Sequence, residues 1–237
     1  TGGYACWPIV SAAASLGIPS ALHESNSIPG FVVKNLQKKV DVVFVNFDAT
    51  RKLFDKGANV VHVGTPLRAD FEKVNRESTR KALEIGEKYR AFVLSFGGSL
   101  GARTLNNSVL HALKDIRNSN VQFIWQTGSY YKDHIAHELE KHGIPENLHV
   151  TDFIRSMNMA YKAADLVISR AGASSISEIC LLGKPSILVP SPNVSEDHQT
   201  HNAMALVNKD AALIVKDAEA EETLIQLAIN TVKDKNI

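Results

Sequence analysis

The sequence predicts an α/β protein made of two doubly wound, Rossmann-like parallel sheets, the first of them incomplete. Three observations carry this. Short β-branched runs alternate with helix-length stretches along the whole chain, the rhythm of βαβ units. A charged, proline-opened stretch from Thr65 to Lys88 interrupts that rhythm, with Gly86 ahead of a fresh apolar run. Six strand-like runs follow it and only three precede it, where a full doubly wound unit has about six.

Taken in order, the first half reads as the strand SALHE at 20–24, a helix-like segment from Ile28, the strand VVFVN, a helix from about Asp48, and the strand VVHVG ending at Gly64. The division between the halves is expected near Ala69, giving units 1–68 and 69–237. The second half supplies AFVLSF, VQFIWQ, LHVTDF, DLVIS, PSILVP and AALIV, each followed by a polar or amphipathic stretch. Ala218 to Lys235 is expected as a solvated amphipathic helix. At the other end, Thr1-Gly2-Gly3-Tyr4 reads as the inside of a phosphate-type glycine turn whose preceding strand is missing, so a piece of a longer protein is expected.

Composition narrows the function. With 44% apolar and 22% charged residues the chain can bury a core. Twenty-six basic residues against 25 acidic ones leave a formal charge of +1, which provides no field for nucleic acid. Cys6 and Cys180 show no CxxC spacing and the histidines do not cluster, which argues against a disulfide framework or a zinc site and for a reducing compartment. No apolar run approaches the roughly 20 residues that span a bilayer, so membrane contact is expected to be peripheral.

Several segments are candidates for chemistry. Gly97-Gly98-Ser99-Leu100-Gly101-Ala102 lies between a buried strand and a helix, where backbone N–H groups and the positive helix end suit a diphosphate. The same residues would also serve a tight turn with no ligand. A second such turn runs from Arg170 through Ala173, Ser174, Ser175, Ile176 and Ser177 to Glu178. Glu178 there is either a capping-box partner or an acceptor for two ribose hydroxyls. Both loops sit at the carboxyl ends of strands, where open sheets gather their ligands. Ser195 to Ala203, containing Gln199, has the groups to hold sugar hydroxyls or is a polar loop capped by Asp197. Arg68 suits a diphosphate clamp or a surface linker position. His23 and Glu24 form an acid/base pair or a structural strand end. Trp7, Ile9 and Val10 belong to a membrane-facing patch or to the core.

In order and spacing, His23-Glu24-Ser25-Asn26, Gly64-Thr65-Pro66-Leu67-Arg68, FGGSLGA, RAGASSISE and DHQTHNA resemble the MurG family of glycosyltransferase family 28. The resemblance runs from Gly2 to about Val215. It implies a GT-B fold, two Rossmann-like domains with the active site in the cleft between them. It also implies inverting transfer of N-acetylglucosamine from UDP-N-acetylglucosamine to the C4 hydroxyl of undecaprenyl-linked lipid I, forming lipid II for peptidoglycan at the cytoplasmic face of the bacterial membrane. By the same resemblance Ser99, Ile154 and the turn Ala173 to Glu178 hold the uridine, Glu178 taking the ribose hydroxyls and Ile154 acting through its backbone. Arg68 falls on the donor phosphates, and Asn26 and Gln199 on the N-acetylglucosamine. Neither a metal nor a cofactor is implied, because helix ends and basic side chains support the leaving UDP in such enzymes.

Two departures from the family pattern stand out. Cys6 and Trp7 occupy positions where the family's second glycine loop has a small polar residue and a glycine. The first glycine loop, with a histidine of catalytic importance, belongs ahead of Thr1. Within this chain only His23 or Glu24 is placed to assist as base. The alternatives are another GT-B UDP-sugar enzyme and a donor-binding module that is inactive without a complete acceptor domain.

Overall fold

The computed structural model describes residues 3–71, 75–83, 85, 89 and 91–234. Thr1 and Gly2 of the expected opening turn, Gly86 and Lys88 of the expected linker, and Lys235 lie outside them. In the first half, helix α1 (Cys6–Ser15) leads to β1 (Ala21–Glu24), α2 (Phe31–Leu36), β2 (Val42–Val45) and β3 (Val60–His62). The three strands form a parallel sheet in the order β1-β2-β3. Alternation decides its faces: Leu22, Val43 and Val45 turn inward onto Val32, Val33 and Leu36 of α2. Helix α2 starts at Phe31, later than Ile28, because Pro29 and Gly30 intervene and Gly30 is its N-cap in extended backbone. The segment from Asp48 is a short 3-10 helix, Asp48–Leu53, and not an α-helix.

Helix α3 (Arg76–Ala82) follows, its N-cap Asn75 accepting from the N–H groups of Glu77 and Ser78 at 2.9 and 3.2 Å. Then come β4 (Ala91–Phe96), α4 (Arg103–His111), α5 (Leu113–Asn118), β5 (Val121–Gln126), α6 (Lys132–His142), β6 (Leu148–Thr151) and α7 (Met157–Ala163). The chain continues as β7 (Leu166–Ser169), α8 (Ala173–Leu181), β8 (Ser186–Leu188), α9 (His198–Val207), β9 (Leu213–Ile214) and α10 (Ala220–Thr231). The six strands are parallel in the order β6-β5-β4-β7-β8-β9. Every residue of β4 is buried, as expected for a parallel strand covered on both faces. Ala91 and Val93 join a core with α4, α6 and α10, while Phe92, Leu94 and Phe96 join one with α7, α8 and α9.

The C-terminal helix is amphipathic: Leu224, Ile225, Ala228 and Ile229 bury one of its faces in the first of these cores, and Glu221, Glu222 and Thr223 are exposed. The described part of the stretch after Thr65, expected as a linker, packs onto the second half. Phe71, in a 3-10 turn at Ala69–Phe71, is fully buried against Tyr161 of α7, and Arg76 and Arg80 of α3 both pair with Asp165. Asp165 also accepts from the Phe92 N–H at 2.8 Å, so one carboxylate ties α3 to the start of the central strand. No helix among the described residues is long and apolar enough to cross a membrane.

Candidate functional site

Strand order reverses between β4 and β7, where one connection runs left to β5 and the other right to β8. Loops leaving such a point diverge and open a crevice. A cleft of about 620 Å³ lies there, lined by Gly97, Gly98 and Gly101 after β4, Arg170, Gly172 and Ser175 after β7, and Ser191, Asn193 and Gln199 after β8. Helices α4 and α8 both begin at the cleft, at Ala102 and Gly172, and neither N-cap has a side-chain hydrogen bond. Their first-turn N–H groups and dipoles therefore face a space suited to an anion.

The glycines have two different causes. A Cβ on Gly101 would lie 2.0 Å from the Thr127 carbonyl oxygen, and one on Gly128 would lie 2.1 Å from the Gly101 nitrogen. These two are required by loop-on-loop packing whether or not a ligand binds. Gly172 has an ordinary φ of −68° and a Cβ there would meet nothing within 4 Å, so a side chain would simply take up space beside the cleft it lines.

The turn Ala173 to Glu178 spreads its side chains over several surroundings. Ser175 lines the cleft, Ser174 is exposed, and Ile176 is buried in the core at 1% exposure. Ser177 Oγ donates to the Ala173 carbonyl at 2.8 Å and accepts from Asn46 Nδ2 at 3.2 Å, which links the helix to the first sheet. Glu178 makes no capping box and lies beside Tyr161, Arg68 and Asp70. Burial pushes its carboxyl above the ordinary glutamate range and Asp70 adds to the rise, against the pull of the Tyr161 hydroxyl and the Arg68 guanidinium. Arg68 itself is exposed, 3.5 Å from Asp70 and 5.1 Å over the Phe71 ring.

Ser99 is exposed at the tip of the first glycine loop, its carbonyl receiving the Ser129 N–H at 3.2 Å. Ile154 packs on the core shared with α7, α8 and α9, and its N–H is taken by Gln126 Oε1 at 3.2 Å. Gln199 reaches the cleft with its Oε1 accepting from Ser191 N at 2.9 Å. The expected Asp197 cap is absent: its carboxylate accepts from Thr200 Oγ1 at 2.7 Å.

His23 and Glu24 are not brought together, since neighbours on a strand face opposite ways. His23 Nε2 is 2.9 Å from the Gly64 carbonyl, and Glu24 is 5% exposed with its carboxylate accepting from Asn26 N, Asn26 Nδ2 and Gly30 N at 3.0, 3.3 and 2.9 Å. Asn26 in turn accepts from Asn202 Nδ2 at 3.0 Å. Of the apolar N-terminal trio, Trp7 and Val10 pack on the first core while Ile9 is 72% exposed.

Gln126, Arg103 and Asp217 in the site region escaped the sequence reading, and the pairing of Arg170 was not legible there. Buried Gln126 gives its Nε2 to the Gly98 carbonyl at 2.9 Å while its oxygen holds Ile154, so one amide sets two loops. Arg103, at the first turn of α4, carries an exposed guanidinium beside the cleft with no ion pair among the described residues. Arg170 also lines the cleft, but its charge is spent on Asp217, which accepts from Thr104 as well. A basic residue just after a strand-to-helix glycine turn was the available signal for Arg103.

The family profile described as the glycosyltransferase family 28 C-terminal domain matches residues 92–236. The chain belongs to glycosyltransferase family 28. The profile of the family 28 N-terminal domain matches residues 1–45. The chain is 47% identical to the UDP-N-acetylglucosamine--N-acetylmuramyl-(pentapeptide) pyrophosphoryl-undecaprenol N-acetylglucosamine transferase of Bacteroides thetaiotaomicron, over 98% of this chain and 63% of that protein. It is 43% identical to the protein of the same name from Cytophaga hutchinsonii, over 99% of this chain and 62% of that one. Among solved structures, Acinetobacter baumannii MurG superposes with a TM-score of 0.76 at 33% identity, covering 99% of this chain and 64% of its own. This family 28 chain thus has the GT-B architecture and spans less than two thirds of the length of these relatives.

Proposed function

We propose that the chain carries the donor side of an inverting N-acetylglucosaminyltransferase, which moves N-acetylglucosamine from UDP-N-acetylglucosamine to the C4 hydroxyl of the muramoyl sugar of lipid I. The observation that carries this reading is the cleft at the strand-order reversal, faced by two helix N-termini without side-chain caps and by Ser175 and Gln199. Two helix ends suit the charge that develops on UDP as the anomeric bond breaks, Arg103 lines the same cleft, and the exposed Arg68 stands beside Glu178. Glu178 takes the ribose hydroxyls, Ile154 meets the uracil edge with its carbonyl, and Gln199 and Asn26 face the sugar.

The acceptor hydroxyl loses its proton to a general base as the anomeric carbon inverts. Glu24 spends its carboxylate on three N–H groups of its own loop, so within this chain the base reading rests on His23. Residues 1–68 form the acceptor side and 69–237 the donor side. Attachment is peripheral, at the cytoplasmic face of the membrane. Tyr4, Ile9, Leu16 and Ile18 around α1, exposed by 89, 72, 75 and 53%, support that.

The test is a titration with UDP-N-acetylglucosamine, UDP-glucose and UDP, with Glu178→Ala as control. Preference for the acetamido sugar, lost in the variant, is the expected result. No binding of any uridine nucleotide would remove the reading.

A further inference from the structure

Tyr161 is wholly buried, wedged edge-on between Phe71 and Phe96 at centroid distances of 6.0 and 5.7 Å. A phenol so enclosed normally finds a partner for its O–H, since an unpaired buried hydroxyl costs stability. Tyr161 Oη has no partner of ordinary hydrogen-bond geometry among the described residues. What stands beside it is the Glu178 carboxylate, on the neighbouring helix α8. The hydroxyl therefore stands close to the acid assigned to the ribose without a hydrogen bond of ordinary geometry to it.

We propose that Tyr161 is a positioning residue for uridine: its hydroxyl closes onto one oxygen of Glu178 when the nucleotide binds, fixing the carboxylate so that the other oxygen meets the vicinal ribose hydroxyls. This rests on the reading that Glu178 is the ribose acceptor. Three physical points favour it. The ring cannot swing away, because two aromatic neighbours hold it. The hydroxyl cannot turn to solvent, because the residue has no exposure. The carboxylate has room to turn, because Glu178 is only partly buried, with Arg68 and Asp70 also near it. A rotatable acid beside a fixed donor is a device for orientation.

The experiment is calorimetric binding of UDP and 2′-deoxy-UDP to the chain, to Tyr161→Phe, to Glu178→Gln and to the double variant, from pH 5 to 8. The Phe variant keeps both ring contacts, so its fold is checked by its melting temperature and its retained affinity for 2′-deoxy-UDP. Expected is a roughly tenfold loss of UDP affinity in Tyr161→Phe, little change for 2′-deoxy-UDP, and no further loss when the Phe change is added to Glu178→Gln. The groups facing Glu178 are Tyr161, Arg68 and Asp70. Removing the hydroxyl alone should move the pH at which UDP affinity falls off upward, because a donor to the carboxylate is lost. If Glu178→Gln abolishes the preference for UDP while Tyr161→Phe leaves both the preference and the pH profile unchanged, the proposal is wrong and the Glu178 reading stands. If Glu178→Gln also leaves the preference intact, the ribose reading itself fails and the proposal with it.

Discussion

The carboxamide of Asn202 joins the two sheets: its Oδ1 accepts from the Ser27 N–H at 2.8 Å and its Nδ2 donates to Asn26 Oδ1 at 3.0 Å, across 176 residues of sequence. The same Nδ2 lies 3.3 Å from the Ala171 carbonyl, at the head of the second glycine turn. Asn202 has no exposure, so each partner lost would leave a buried polar group unpaired. Asn202→Ala is expected to lower stability by about 1–3 kcal/mol and to loosen the first half from the second. Denaturant unfolding followed at Trp7 and Trp125, one in each half, would show two separated transitions. A single unshifted transition would show that the seam is not what couples them.

Glu178 illustrates function held against stability. Its carboxyl is raised by burial, so the folded chain binds that proton more tightly than the unfolded chain does. Stability therefore falls as pH rises through the window above the ordinary glutamate value, where the unfolded acid has ionised and the folded one resists. Glu178→Gln has no such penalty. The melting temperature of the variant relative to the parent should rise from pH 4 to pH 8, even as uridine binding is lost. A difference that is flat or falls with pH would contradict the burial argument.

The two kinds of glycine at the cleft give opposite predictions. Gly101→Ala sets a Cβ against a backbone carbonyl at 2.0 Å, at a φ of +87°, and should cost at least about 2 kcal/mol of stability. In Gly172→Val the Cβ meets nothing within 4 Å at an ordinary φ, and stability should stay within about 1 kcal/mol of the parent. Its UDP-N-acetylglucosamine affinity should nevertheless fall roughly tenfold or more, because the added side chain occupies the cleft edge. Chemical denaturation and titration on the same two variants separate the cases.

How much of this was legible in the sequence depends on the range of the interaction concerned. The strands were readable because β-branched runs such as AFVLSF and DLVIS need no distant partner to declare themselves. The boundaries of the Asp48 segment and of α2 were missed because a 3-10 turn and a Pro29-Gly30 start are settled by packing and local backbone. Within the site, the glycine-serine turns were visible as patterns, but which serine faces the cleft was not. Ser175 and Ser177 differ only in where α8 points them. Asn202 lay inside a motif already noticed, yet its role exists only once residues 26 and 27 are brought to it.

Gln126 is the clearest such omission and gives the last prediction. In VQFIWQ it reads as the polar end of a buried strand, and nothing local says that its amide spans two loops. The structure has it donating to the Gly98 carbonyl at 2.9 Å and accepting from the Ile154 N–H at 3.2 Å, so the first glycine loop and the loop carrying Ile154 share one support. Gln126→Leu removes both bonds and leaves the Ile154 N–H unpaired, which should cost about 1–3 kcal/mol, while the Gly98 carbonyl keeps the Gly101 N–H at 3.0 Å. Gln126→Glu keeps the acceptor for Ile154 but turns a carboxylate oxygen toward the Gly98 carbonyl, which repels it. If the amide positions both loops, UDP affinity falls in both variants, and the Glu variant recovers part of its binding at low pH, where a protonated carboxyl can donate again. A Glu variant that binds UDP like the parent at pH 8 would mean that the Gly98 bond contributes nothing to the site.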